Sequence, residues 1–261
     1  MAWKMYREHS RAQMRRFEIL HRVRTAAHLL RPSQLALRGF RCPACGPSLL
    51  VRLSASDIGV RCMRCAASAM TLSLMCVVKE SRPGLGGEAV YELSSRGPLF
   101  EFLRREVPRL TFSEFFDDLE PGAWREGVQC QDVQRLTFED SSFDVVTSNG
   151  VFEHVADDAR GFCEVRRVLR PGGIFVFTVP LYDAEDTVER ARMRDGAIEY
   201  LLPPEYHGDR IRGRGRVLVY RNYGRDITER VRNSGFRSAD IDWRFKSAFL
   251  GKGSGVVVAQ V

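Results

Sequence analysis

Two cysteine pairs of the same spacing constrain this chain more than any other feature. Cys42-Pro-Ala-Cys45 and Cys62-Met-Arg-Cys65 have sixteen residues between them. In a C-x2-C knuckle two sulfurs reach one metal ion, and a second knuckle on a returning hairpin closes a tetrahedron of thiolates around Zn2+. Leu49 to Leu53 and Ile58 to Arg61 read as short strands around Ala55-Ser56-Asp57, which predicts a zinc ribbon. With all four positions filled by protein, the site is structural, and metal binding stands in for a core that about 25 residues cannot build. Free thiols or a redox pair are the competing reading. Cys76, Cys130 and Cys163 have no motif partner and read as small buried hydrophobes.

The 261 residues, 44% hydrophobic, suffice for one sizeable core beside such an appendage. No apolar run approaches the roughly 18 residues of a membrane span, and no signal-peptide core opens the chain, so a cytoplasmic protein is expected. The net charge of +7 is almost wholly arginine, since lysine occurs only at 4, 79, 246 and 252. Residues 1–38 begin with eight Lys or Arg before residue 32. Met14, Phe17, Leu20, Val23, Ala27 and Leu30 are spaced three or four apart, the pattern of a basic amphipathic helix. Such a helix packs on the body, meets an anionic partner such as RNA, or acts as a targeting presequence.

The ribbon is assigned to 39–80 and a second domain to 81–261, with the boundary at Ser81-Arg-Pro-Gly-Leu-Gly-Gly87. Beyond it, strands are expected at 89–93, 110–115, 127–131, 143–148 and 174–179, with helices at 99–106 and 157–169. This alternation indicates an α/β, doubly wound and mostly parallel sheet. Ligands of such sheets lie outside the carboxyl ends of the strands. Glu92, Glu114 and Asp132 close three successive strands there. A carboxylate at the second strand end suits ribose hydroxyls, and Asp132 suits an adenine amino group.

The stretch Asp132 to Val155, with Phe143-Asp-Val-Val146 inside it, and Leu169-Arg-Pro-Gly-Gly173 closely resemble class I S-adenosylmethionine-dependent methyltransferases. The resemblance runs from about Glu88 to Val261. It implies a Rossmann-like seven-stranded sheet whose last strand is antiparallel, with a helix at 224–234 and strands at 235–243 and 255–261. It also implies that Glu92, Ser94 and Gly97 lie along the methionine part of the cofactor, Glu114 at the ribose, Asp132 and Val133 at the adenine and Asn149 beside the sulfonium, with Arg96 and Phe115 also among the cofactor-binding residues. Most relatives carry Gly-x-Gly-x-Gly after the first strand; here Leu93-Ser-Ser-Arg-Gly97 has one glycine. That variant is similar to a subgroup bearing an N-terminal zinc ribbon.

The sulfonium makes the methyl group electrophilic, so the protein aligns a nucleophile and supplies a base. His154, Tyr206 and His207 are the candidates, the latter two within the 182–223 insertion between the fifth and sixth strands. Glu153 and His154 alone would hold a divalent ion weakly, so no catalytic metal is expected. The basic run Arg210 to Arg216 reads as a solvated loop or as a contact for an anionic substrate. The expected activity is methyl transfer to a small-molecule or glycan acceptor. RNA methylation, and a non-catalytic module that has lost its cofactor, are the alternatives.

Overall fold

A computed structural model describes residues 27–208, 215–243 and 254–261. The basic helix expected within 1–38 and the run at 210–216 lie largely outside these residues. Strands β1 (Ala36–Cys42), β2 (Gly46–Arg52) and β3 (Val60–Cys62) form an antiparallel sheet in the order β1-β2-β3. Each cysteine knuckle ends in a left-handed residue, Gly46 at φ 75° and Ala66 at φ 61°. The second knuckle is closed by the Ala66 N–H on the Cys62 carbonyl, 2.8 Å, and the Cys62 N–H on that of Ala67, 2.9 Å.

Helix α1 (Ala69–Ser81) follows directly, capped by the Ser68 hydroxyl on the Thr71 N–H. It is nearly surrounded by protein, burying Leu72, Leu74, Met75, Val77 and Val78. The remaining elements are β4 (Val90–Glu92), α2 (Gly97–Glu106), β5 (Leu110–Glu114), β6 (Trp124–Arg125), β7 (Val128–Cys130), β8 (Phe143–Asn149), α3 (Asp158–Val168) and β9 (Leu169–Thr178). An arm of short strands comes next: β10 (Val188–Glu189), β11 (Ala191–Arg194), β12 (Ala197–Tyr200), β13 (Tyr206–Gly208), β14 (Arg216–Leu218) and β15 (Arg221–Asn222). The described chain ends with α4 (Ile227–Asn233), β16 (Ser238–Asp242) and β17 (Val256–Gln260).

The central sheet runs β16-β17-β9-β8-β4-β5-β7-β6. The β9-β8-β4-β5-β7 segment is parallel, and β17 is antiparallel to both β9 and β16. The sheet has eight strands where seven were expected. The extra one is the two-residue β6, which turns back through Glu126 (φ 51°) and Gly127 (φ 79°) to pair antiparallel with β7.

Continuous apolar runs mark strands covered on both faces, and β9 divides its side chains accordingly. Ile174 and Val176 join Val90, Val145 and Val256 in the core shared with α1 and α2. Phe175 and Phe177 join Tyr91, Val146 and Val257 in the core shared with α3 and α4. The first core continues into the ribbon through Cys42, Leu50, Val60 and Cys62. The expected boundary at 81–87 therefore falls within one packed body, with α1 on its N-terminal side.

Candidate functional site

The four cysteine sulfurs lie within 4.8 Å of one another. Cys42 Sγ and Cys65 Sγ are 3.7 Å apart, and Cys45 Sγ and Cys62 Sγ 3.5 Å. A disulfide would require about 2 Å. Tetrahedral zinc, with Zn–S near 2.3 Å, sets sulfurs about 3.8 Å apart, so the donor set fits a thiolate-bound ion. Contact with the Cys65 thiol pulls Cys42 down to about 5, while burial and the neighbouring sulfurs push Cys45 up to about 11.

The second site begins where the parallel strands end. Glu92, Glu114 and Asp132 stand at or just beyond the carboxyl ends of β4, β5 and β7, which are neighbours in the sheet. Their environments differ. Glu92 is buried and accepts a short hydrogen bond from Thr147 Oγ1; burial, and less strongly the charge of Glu114, push its carboxyl up to about 8. Glu114 is buried too, which raises its pKa. Its Oε1 accepts from Ser95 N (2.8 Å), Ser95 Oγ (2.8 Å) and Ser94 Oγ (3.2 Å). Ser94 and Ser95 thus fold back onto this carboxylate. Gly97, the loop's one glycine, sits at φ 91° as the chain enters α2. Asp132 is half-buried and accepts from the Gln134 N–H at 2.9 Å.

A cavity of about 660 Å³ opens beside these strand ends, within the size range of small-molecule and cofactor pockets. Of the residues expected at the cofactor, Phe115, Asp132 and Val133 line it. Of those expected at the acceptor, His154 and Tyr206 line it. Glu92, Ser94, Arg96, Gly97, Glu114, Asn149 and His207 are not on its wall. Asn149 instead ties three elements together, donating to Thr71 Oγ1 (3.2 Å) in α1 and accepting from Thr178 Oγ1 (2.8 Å) in β9.

The arm roofs the cavity with Met193, Ile198, Tyr200, Arg216 and Tyr220; of these the sequence points only to Arg216, as part of the basic run. One signal was available: Asp195-Gly196 at φ 50° and 78° makes the tight turn between β11 and β12, and Asp-Gly between extended runs is a hairpin mark. The Arg216 guanidinium lies 4.4 Å above the Tyr206 ring.

The arm also carries His207 to His154, with His207 Nδ1 and His154 Nε2 3.2 Å apart. His154 Nδ1 is 2.7 Å from the Leu218 carbonyl oxygen, which only accepts, so Nδ1 bears the proton and, in the neutral imidazole, Nε2 the lone pair. Glu153, buried just before it, is pushed up to about 8 by loss of solvent. Buried Arg221 fastens the arm to this loop, donating to the Val155 (2.6 Å) and Ala156 (2.7 Å) carbonyls and to Glu189 Oε2 (3.0 Å).

Residues 105–177 match the family model of a methyltransferase domain. A dimethylglycine N-methyltransferase of Parasynechococcus marenigrum is 43% identical over 56 residues, 22% of this chain and 19% of that protein. A 37.1 kDa transposon-encoded protein of Streptomyces fradiae is 44% identical over 57 residues, 22% of this chain and 16% of that protein. The chain therefore spans less than a fifth of either curated relative. Among solved structures, an S-adenosylmethionine-dependent methyltransferase from Mesorhizobium loti is 17% identical, with 75% of this chain and 99% of that one covered at a TM-score of 0.48.

Proposed function

We propose that this chain, whose residues 105–177 carry the sequence of a methyltransferase domain, transfers a methyl group from S-adenosylmethionine to a small-molecule acceptor. One observation supports the reading above the others. Phe115, Asp132 and Val133, on the adenosine side, line the same cavity as His154 and Tyr206, on the acceptor side. When bound, the cofactor supplies an electrophilic methyl group. Asp132 and Val133 would hold the adenine and Phe115 the ribose, while Glu92, Ser94, Arg96, Gly97, Glu114 and Asn149, off the cavity wall, would shape the strand ends behind them. Tyr206 and the Glu153-His154-His207 group would orient the acceptor and handle its acidic hydrogen. The ribbon would hold Zn2+ and brace α1, whose Thr71 meets Asn149 at the sheet rim.

A second reading, a methyltransferase fold without its cofactor, is favoured by the three donors already on Glu114 Oε1. Calorimetry with S-adenosylmethionine separates the two. The methyltransferase reading expects saturable heat that is weakened roughly tenfold or more in Asp132→Ala, through loss of a charge-assisted contact. Absence of heat with the wild-type protein supports the relic.

A further inference from the structure

We propose that Glu153, His154 and His207 form a second metal site, for a divalent first-row transition ion. The sequence offers only the adjacent Glu153 and His154, and the third ligand arrives on β13 from 53 positions away. The donor atoms form a compact triangle. His154 Nε2 and His207 Nδ1 are 3.2 Å apart, and Glu153 Oε1 is 3.6 Å from the first and 3.8 Å from the second. A point about 2.1 Å from all three atoms exists within it, the bond length of such ions to imidazole and carboxylate.

Two further observations point to a ligand here. The Leu218 carbonyl fixes the proton on His154 Nδ1, leaving the basic Nε2 directed into the group, as second-sphere carbonyls do for metal-bound histidines. Glu153 is 3% exposed, and its Oε2 is buried with no hydrogen-bond partner. A buried carboxylate with an unsatisfied oxygen carries an uncompensated desolvation cost. The other oxygen, Oε1, stands 3.6 and 3.8 Å from the imidazoles, too long for hydrogen bonds, and a cation shared by the three groups would offset the charge of the whole carboxylate.

Two imidazoles and one carboxylate favour a transition ion over Mg2+ or Ca2+, which take oxygen donors. Three protein ligands leave coordination positions open, unlike the four thiolates of the ribbon. His154 and Tyr206 line the cavity, so on the methyltransferase reading those positions suit an acceptor oxygen. Only that last clause depends on the proposed function.

The test is a Co2+ titration of the full chain carrying one zinc per molecule, followed by visible absorption. Expected is one further equivalent with the d–d bands of nitrogen and oxygen ligation and no sulfur charge-transfer band. Affinity should fall at least tenfold in both His207→Ala and Glu153→Gln, and stay unchanged in Met193→Ala on the cavity roof. Far-ultraviolet circular dichroism establishes that the variants fold. No second equivalent, or one that survives both substitutions, overturns the site. Cobalt binding without S-adenosylmethionine heat would refute the methyltransferase reading alone, and the reverse would refute the metal site alone.

Discussion

At single positions, two residues sit where their chemistry is unfavourable. Ala66 closes the second knuckle at φ 61°, a conformation costing an L-residue roughly 1–2 kcal/mol. Ala66→Gly should therefore stabilise the chain by about 0.5–1 kcal/mol after glycine's entropy is subtracted, seen as a higher urea midpoint; an unchanged or lower midpoint counts against the strain. Glu92 has the opposite profile. Its carboxyl stays protonated to about 8 in the folded protein, against an ordinary 4.5. Between those values the folded chain holds a proton that the unfolded chain has released, so its contribution falls as pH rises through this window and is level below and above it. Glu92→Gln should flatten that fall in urea midpoints measured across the window, and an unaltered pH slope would refute the assignment. Residues of both kinds were partly legible. The cysteines carry their chemistry in their spacing, whereas the Ser94 and Ser95 bonds to Glu114 depend on the fold of a loop that has no periodicity to read.

Among elements, the central strands and helices were the most readable part. Their apolar runs and turn residues fixed β4, β5, β7, β8, α2 and α3 to within one or two residues of where they lie. The start of β9 and the β6 hairpin were less so, because polar Arg170-Pro-Gly-Gly173 and a two-residue strand carry no burial pattern. The arm from β10 to β15 escaped because its strands are short and half-exposed, so alternation is weak. What holds it is buried charge. Arg221 is 3% exposed and meets Glu189 and two loop carbonyls, with Tyr223 Oη donating to Asp158 Oδ2 at 2.9 Å beside it. Arg221→Leu should cost about 2–3 kcal/mol, since it leaves the buried Val155 and Ala156 carbonyls without their donor, while Arg230 still pairs with Asp158 and Glu189. Chemical denaturation checks this, and a loss below 1 kcal/mol would mean that the arm is held by other contacts.

For the molecule as a whole, the ribbon and the sheet share one apolar core through α1. Stripping the cysteine site with a strong zinc chelator, or replacing Cys42 by Ser, should thus lower the melting temperature of the whole body in a single transition. An early ribbon transition with the main one unmoved would make the ribbon an independent unit. No helix among the described residues is long and apolar enough to cross a membrane. The mostly parallel sheet, its antiparallel last strand and the strand-end carboxylates were foreseeable from alternation and from the motifs at 143–146 and 169–173. The meeting of Glu153, His154 and His207 was not, because it is made by chain segments that only the folded arm brings together.

The central claim is that an adenosine-bearing cofactor and an acceptor share the cavity at the carboxyl ends of β4, β5 and β7. A crystal structure with S-adenosylhomocysteine tests it most directly. The account predicts the adenine against Asp132 and Val133, with the sulfur turned toward the side of the cavity that His154 and Tyr206 line. An empty cavity at saturating ligand, or an adenosine bound elsewhere, would contradict it.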